Sequence, residues 1–499
     1  MTIDLEEILN PLFSDGNIAK KVKARYQKNS ILSLKAPDIK IIEKPFRTMQ
    51  IFNVFKNEDF LTKFITEINC IKLHEKSNDL YSISQSDDLN ILPLDRCGKI
   101  FKKLINKKLW EYCSLLVGEK LKSIASMTIS KYQKGDYLLC HDDKCEDRCI
   151  AFVIYLSNVE WEERDGGLLS LFNHDKNSKQ PTTEEIKLLP IFNSMVLFKV
   201  STTSYHQVTE VVGDKTRLSI NGWFHSCKAI KMPKPNYLYL SGAILSAQLE
   251  DTPYINVVCK QYLLQSVVDS ISKDFLQNRA IYLPSFLKAD FYDGCLNELN
   301  NQLKWKLTGP PNHRNCYLPT NFDFQNASPS VFPNLCKLLS ILCSPDFAEY
   351  LSHITKHRLI EDASRTETLV NIEIQRWSQK CYTLLADNDV LQSLNFIDVV
   401  LFFGVDEVSD DEGDCGGLTY VPSAKKQKTT RSSKQTMTIN PVSNILCISD
   451  CDEKTQKFYR YKKACSPLGD YYTVSVSFLR DSVTSTNFKK ITDSGGNLK

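Results

Sequence analysis

The chain repeats itself, and that limits its fold more than any other feature. RTMQIFNVFKNEDFLTKFITEI from Arg47 is answered by NRAIYLPSFLKADFYDGCLNEL from Asn278, each a short apolar strand running into an amphipathic helix. Phe55, Asp59 and Phe60 pair in this way with Phe286, Asp290 and Phe291. KYQKGDYLLCHDD, ending at Asp143, is answered by SQKCYTLLADND, ending at Asp389, with Leu138 and Leu139 opposite Leu384 and Leu385. GGLLSLF from Gly166 pairs with GGLTYV from Gly416, and NSMVLFKV from Asn193 with SNILCISD from Ser443. Four matches in one order, with an offset that grows slowly as loops of unequal length would make it, describe two copies of one fold.

The strands in each copy are short, branched or aromatic, and separated by turn signals, as in IAFVIYLSNV and RLSINGWF. The expected class is α+β: two tandem double-stranded β-helix (jelly-roll) domains flanked by helices, the second degenerate. KMPKPNYLYLSG, within residues 228–250, reads as the connector, so the domains are placed at 1–240 and 241–499. The second copy is interrupted at 405–435 by an acidic block, VDEVSDDEGD, and a basic block, AKKQKTTRSSK, read as exposed loops. The basic block is also the one candidate for a nuclear-import patch.

Composition excludes some classes of function. Net charge is +3 from 62 basic and 59 acidic residues, so no field favours nucleic acid and no direct nucleic-acid binding is expected. No apolar run nears the roughly 18 residues of a membrane span, and MTIDLEEILNPLF lacks a secretory pattern, so an intracellular protein is expected. Seventeen cysteines without CxxC spacing read as free thiols, the CEDRC run at Cys145–Cys149 included.

The chemistry lies between Tyr132 and His225. In CHDDK, His141 and Asp143 are two apart, so on a strand they share a face while Asp142 turns away. His206 in SYHQV is expected on a strand returning past the first. Two histidines and one carboxylate suit non-haem iron(II) and leave positions open for a bidentate co-substrate and dioxygen. Arg217, at the start of RLSINGWFH, offers a fixed charged fork for the distal carboxylate of 2-oxoglutarate, and the Tyr155 hydroxyl a second hydrogen bond to it. Taken singly, each has a plainer reading: a solvated turn, a strand-end histidine, a surface ion pair, a core tyrosine. His174 and His225 are read as structural or exposed, and Cys140 and Cys145 as thiols. The second copy has Asp387 in the place of His141, KFYRYKK near the second histidine, and YYTVSVSF without an arginine. Only Asp389 keeps its type, so a structural or substrate-positioning role, not catalysis, is expected of the second copy.

YLLCHDD, AFVIYLS, DGGLLSLF, SYHQVTEV and RLSINGWFH resemble the eukaryotic ribosomal prolyl hydroxylases, cytosolic and nuclear 2-oxoglutarate oxygenases with a second jelly roll that lacks metal ligands. The resemblance implies iron at His141, Asp143 and His206 and 2-oxoglutarate at Tyr155 and Arg217. It also implies catalysis by all of these but Tyr155, L-ascorbate as an aid, and cytoplasmic and nuclear location. The implied substrate is a proline, hydroxylated at C3 and in some members twice, in the small-subunit ribosomal protein of the S12/S23 type. The competing readings are the same chemistry on another protein or an alkylated base, and a non-catalytic sensor of oxygen or 2-oxoglutarate.

Overall fold

The computed structural model describes residues 5–28, 38–145, 147–228, 243–246, 253–359, 369–385, 394–405, 415–421, 436–452 and 455–480. Asp387, Asp389, the acidic run 406–414 and the basic block 424–434 lie outside them. The chain divides into two compact units, Met1–Lys234 with Pro310–Asn312, and Pro235–Gly309 with His313–Lys499.

The first unit is a curled antiparallel sheet of β1 (Ile39–Ile42), β2 (Thr48–Ile51), β3 (His74–Ser77), β4 (Tyr81–Gln85), β5 (Ser126–Tyr132), β6 (Tyr137–His141), β7 (Arg148–Tyr155), β8 (Leu169–His174), β9 (Pro181–Leu188), β10 (Ser194–Lys199), β11 (His206–Val208) and β12 (Arg217–His225). The order is β1-β2-β10-β7-β12-β5-β4-β6-β11-β8-β9, with β3 on β4. One wall therefore carries β7, β12 and β5, and the opposing wall β6, β11 and β8, the arrangement of a jelly roll.

β7 shows why its sequence is an almost unbroken apolar run: both faces are buried. Ile150, Phe152 and Ile154 enter the core under the helices, while Ala151 and Tyr155 enter the barrel interior. That helical core is built by α1 (Gly16–Lys28), α2 (Glu58–Asn69), α3 (Arg96–Lys103) and α4 (Trp110–Val117). Asn57 starts α2 by accepting from the Phe60 amide at 2.8 Å, with Glu58 and Asp59 in the first turn. The helix buries Phe60, Leu61, Phe64 and Ile68. Phe64 stacks on Phe101 with centroids 4.6 Å apart, and its truncation to alanine would cost about 3–5 kcal/mol.

The second unit contains β13 (Ala243–Ser246), β14 (Ala280–Leu283), β15 (Trp305–Thr308), β16 (Arg314–Pro319), β17 (Leu369–Trp377), β18 (Tyr382–Thr383), β19 (Phe396–Phe403), β20 (Leu418–Val421), β21 (Met437–Ile439), β22 (Leu446–Cys451), β23 (Gln456–Tyr459) and β24 (Tyr471–Leu479). Its sheet order, β14-β22-β19-β24-β17-β16-β15, reproduces β2-β10-β7-β12-β5-β4-β3, and β20 lies between β21 and β23 as β8 lies between β9 and β11. The repeat extends to single side chains. Glu67 of α2 takes the first amides of α3 (Cys97, Gly98), and Glu298 of α5 (Ala289–Asn301) takes those of α6 (Pro333–Leu342).

Strand register corrects the alignment of the two glycine pairs by one residue. Bridges join Gly166 to Val211 and Cys415 to Lys462, so Gly167, not Gly166, stands where Gly416 does. The cause is steric. A Cβ on Gly167, at φ +64°, would lie 3.2 Å from Arg217 Cδ, and one on Gly416, at φ +77°, 3.1 Å from Tyr471 Oη; each glycine clears the first side chain of the last barrel strand.

Candidate active site

His141 closes β6 and His206 opens β11, and the antiparallel register sets them directly opposite each other, their rings 4.2 Å apart. Asp143 is not on the strand that its spacing suggested. β6 ends at His141, and a left-handed residue, Asp143 at φ +61°, turns the carboxylate back between the imidazoles. Asp142 faces away and accepts from the Lys144 amide. Asp143 Oδ1 lies 3.6 Å from His141 Nε2, and Oδ2 3.5 Å from His206 Nε2. Nδ1 of His141 meets the Leu139 carbonyl at 2.8 Å, and Nδ1 of His206 the Ser204 carbonyl at 2.8 Å. Carbonyls accept only, so both rings carry their proton on Nδ1 and leave Nε2 as the donor atom for a metal. One donor atom from each residue lies within 4.8 Å of the others, a group that could hold a metal ion.

Charge favours a cation there. Burial pushes His141 down to about 4, with His206 adding to the effect. Burial works against ionisation of Asp143, but the hydrogen bond and charge of His206, then His141 and the Trp223 indole, hold it well below the usual carboxylate range. The carboxylate thus calls for positive charge between the rings, whether a proton on His206, which is raised, or a metal ion. Trp223 Nε1 donates to Asp143 Oδ2 at 3.0 Å and Arg148 to Oδ1 at 3.2 Å, and the guanidinium lies 3.9 Å over the Trp223 ring. Neither residue was singled out from sequence.

The cluster lines a cavity of about 430 Å³ that also takes in Tyr132, Arg217, Ser126, Thr128 and Asn221. Arg217 opens β12, pairs with Tyr132 across β5, and is 1% exposed; its guanidinium sits 4.7 Å from the Tyr132 ring and 5.0 Å from that of Tyr155. The hydroxyls of Tyr132 and Tyr155 and the Nε of Arg217 are buried without a hydrogen-bond partner. Orphaned donors around a buried cation form a seat for a carboxylate. Tyr132 was missed in the sequence. The signal was its parity, since Ser126, Thr128, Ser130 and Tyr132 alternate onto the interior face of β5. Of the residues set aside, Cys140 is a buried thiol and Cys145 an exposed one. His225 is held at both of its nitrogens, by Ser126 and Asp147, as a structural residue would be.

Comparison with known proteins agrees with this geometry. The model of the 2OG-Fe(II) oxygenase superfamily matches residues 127–225, and that described as oxoglutarate and iron-dependent oxygenase degradation C-term matches residues 250–485. The prolyl 3-hydroxylase OGFOD1 of Xenopus laevis is 30% identical over 84% of this chain and 83% of its own. The chain belongs to the prolyl 3-hydroxylase family of 2-oxoglutarate- and iron(II)-dependent oxygenases. Within that family it is also similar to the prolyl 3-hydroxylase sudestada1 of Drosophila melanogaster, 28% identical over 95% of this chain and 91% of the relative. A prolyl 3,4-dihydroxylase, OGFOD1 of Ostreococcus tauri, is 32% identical over 36% of this chain and 38% of the relative. As a 2-oxoglutarate-dependent oxygenase the protein employs iron(II) and 2-oxoglutarate, and the donor set and the orphaned hydroxyls suit both. Among the described residues no helix is long and apolar enough to cross a membrane.

Proposed function

We propose that the first barrel hydroxylates a prolyl residue of a polypeptide, at C3 and in a protein of the S12/S23 type from the small ribosomal subunit. The observation that carries the chemistry is the layout of the site: Arg217 and Tyr132 pair at one end of β12 and β5, with the Tyr155 ring 5.0 Å from the guanidinium, Trp223 and Ser126 pair at the other end, and the His141–Asp143–His206 donors meet Trp223. In this reading Nε2 of His141 and His206 and a carboxylate oxygen of Asp143 hold iron. Arg217, Tyr155 and Tyr132 hold the distal carboxylate of 2-oxoglutarate. Bound iron supplies the activation of dioxygen that 2-oxoglutarate decarboxylation drives.

The chain's own residues orient and exclude. Arg217 fixes the co-substrate from a position 1% exposed, where charge is only weakly screened by water. Trp223 and Arg148 hold the Asp143 carboxylate in the plane that faces the histidines. The Leu139 and Ser204 carbonyls hold the proton of each neutral ring on Nδ1, which turns both Nε2 atoms to the metal. The proline as target follows from the names of the relatives. The choice of ribosomal protein, the aid of L-ascorbate, and cytoplasmic and nuclear location follow from the resemblance of the motifs.

Mass spectrometry of an S12/S23-type peptide incubated with the protein, iron(II), 2-oxoglutarate and ascorbate, beside a His141→Ala control, tests this. Gain of one oxygen on proline, absent from the control, is expected. Turnover of 2-oxoglutarate with no gain on the peptide would retain the oxygenase and discard the substrate.

A further inference from the structure

At the outer end of the cavity stands a hydrogen-bonded chain that the metal and co-substrate chemistry leaves unused. Ser126 Oγ lies 2.8 Å from His225 Nε2, and His225 Nδ1 lies 2.6 Å from Asp147 Oδ1. The second oxygen of Asp147 takes the Lys122 ammonium, and its carbonyl accepts from the Ser226 amide at 2.8 Å. Serine, histidine and carboxylate stand in the order of an acyl-transfer triad, in which the carboxylate fixes the histidine tautomer. The same fixing has a different use here. With Asp147 on Nδ1 that nitrogen carries the proton, Nε2 is the acceptor, and the Ser126 hydroxyl spends its one proton on Nε2.

Two lone pairs of Ser126 Oγ remain, on a residue that lines the cavity. Its neighbours are already committed: Trp223 Nε1 and the Arg148 guanidinium donate to Asp143, and the Thr128 hydroxyl, two residues along β5, accepts from Gln85 Nε2. Ser126 therefore adds what they lack, an aimed acceptor. Its place is set by the strands. It pairs with Trp223 across β12, at the opposite end of β5 from the Tyr132–Arg217 pair, so what it meets is the guest that enters beyond the metal donors.

We propose that Ser126, oriented by His225 and Asp147, accepts the main-chain N–H of a residue flanking the target proline and so sets the register of the bound polypeptide. The inference rests on the prolyl-peptide reading above and deepens it. A proline has no N–H of its own, so an enzyme that reads main-chain donors must take them from the neighbours. Ser126 is a specificity residue, and His225 and Asp147 are positioning residues.

The test is steady-state hydroxylation of a prolyl peptide and of a panel in which each flanking amide in turn is N-methylated, by the unaltered protein, Ser126→Ala and Ser126→Thr. One neutral hydrogen bond amounts to about 1 kcal/mol, or roughly fivefold. Ser126→Ala should raise the peptide KM about fivefold with little change in kcat, and Ser126→Thr should restore it. One methylated peptide should be about fivefold poorer than its parent for the unaltered protein and no poorer for Ser126→Ala. A position-specific penalty that persists in Ser126→Ala, no such penalty in the unaltered protein, or a fall in kcat with unchanged peptide KM would overturn the inference alone. Failure of the unaltered protein to hydroxylate any prolyl peptide would overturn the reading beneath it, and the inference with it.

Discussion

The two barrels share a strand order and treat their interior in opposite ways. In the first, His206 opens β11 and faces Asp143, and the pocket beyond is edged by hydroxyls with nothing to bond. In the second, counted back from the matching hydrogen bonds Thr209 N to Leu168 O and Arg460 N to Gly417 O, Lys457 holds the place of His206. Its ammonium lies 2.6 Å from Asp398, a fully buried carboxylate that also accepts from Tyr420 Oη at 2.6 Å and Ser477 Oγ at 2.9 Å. Asp398 pairs with Ser477 across β19 and β24 as Ala151 pairs with Trp223 across β7 and β12. Where the first barrel waits for a cation, the second carries one on its own chain.

The end proposed above for the co-substrate differs in the same sense. Tyr132, Tyr155 and Arg217 answer by register to Trp377, Phe402 and Tyr471. The Tyr471 ring lies 6.3 Å from that of Trp377 and 6.2 Å from that of Phe402, while Trp377 stacks on Tyr459 at 4.0 Å. Tyr471 Oη is met by the Gly417 amide and Trp377 Nε1 by Thr473, so these polar atoms are satisfied from within. The first barrel leaves this end open to a guest, and the second fills it with its own rings.

The sharpest way to break this contrast is to alter the two equivalent positions. His206→Ala should reduce 2-oxoglutarate turnover to background, whereas Lys457→Ala, assayed below its unfolding temperature, should leave turnover within about a factor of three. Equal loss from both would end the distinction. Next in size is stability. Lys457→Met strands the buried Asp398 charge and should cost about 3–5 kcal/mol in denaturant unfolding, and adding Asp398→Asn should recover most of it. Strictly additive losses would mean that the pair does not interact.

Ligands should separate the barrels more gently. Manganese(II), inert in turnover, together with 2-oxoglutarate at a hundred times its dissociation constant, should stabilise the first barrel by about 2.7 kcal/mol. Hydrogen exchange should slow in β7 and β12 and not in β19 and β24, with one metal bound per chain; two metals would refute the built-in cation. Smallest is Tyr155→Phe, for which loss of one hydroxyl should raise KM for 2-oxoglutarate about fivefold. Phe402→Ala should leave that KM unchanged.

Much of this was legible in the residues. Repetition of motifs disclosed two copies because each copy must bury the same sheet under the same helices. His141, His206 and Arg217 stood out because rare polar residues in apolar strands need a reason. Asp398 and Lys457 did not. The ion pair joins β19 to β23 through a fold that brings distant positions together, and FIDVVLFF reads as core with one odd residue until the register is known. Tyr132 was hidden by its type, since an inward tyrosine is usually packing. The glycine alignment went astray by one because identity of letters outranked the side chain each glycine has to clear.

The left-handed backbone at Asp143 has a consequence for how the sequence can drift. For most side chains that conformation costs about 1–2 kcal/mol, and aspartate and asparagine are the exceptions that enter it readily. Asparagine would fit the turn and bring no charge. Glutamate would bring charge, strain the turn, and carry its oxygens past the donors of Trp223 and Arg148. Of the residues that enter this turn readily, aspartate alone brings the charge, so the backbone and the cation site together narrow what can stand here.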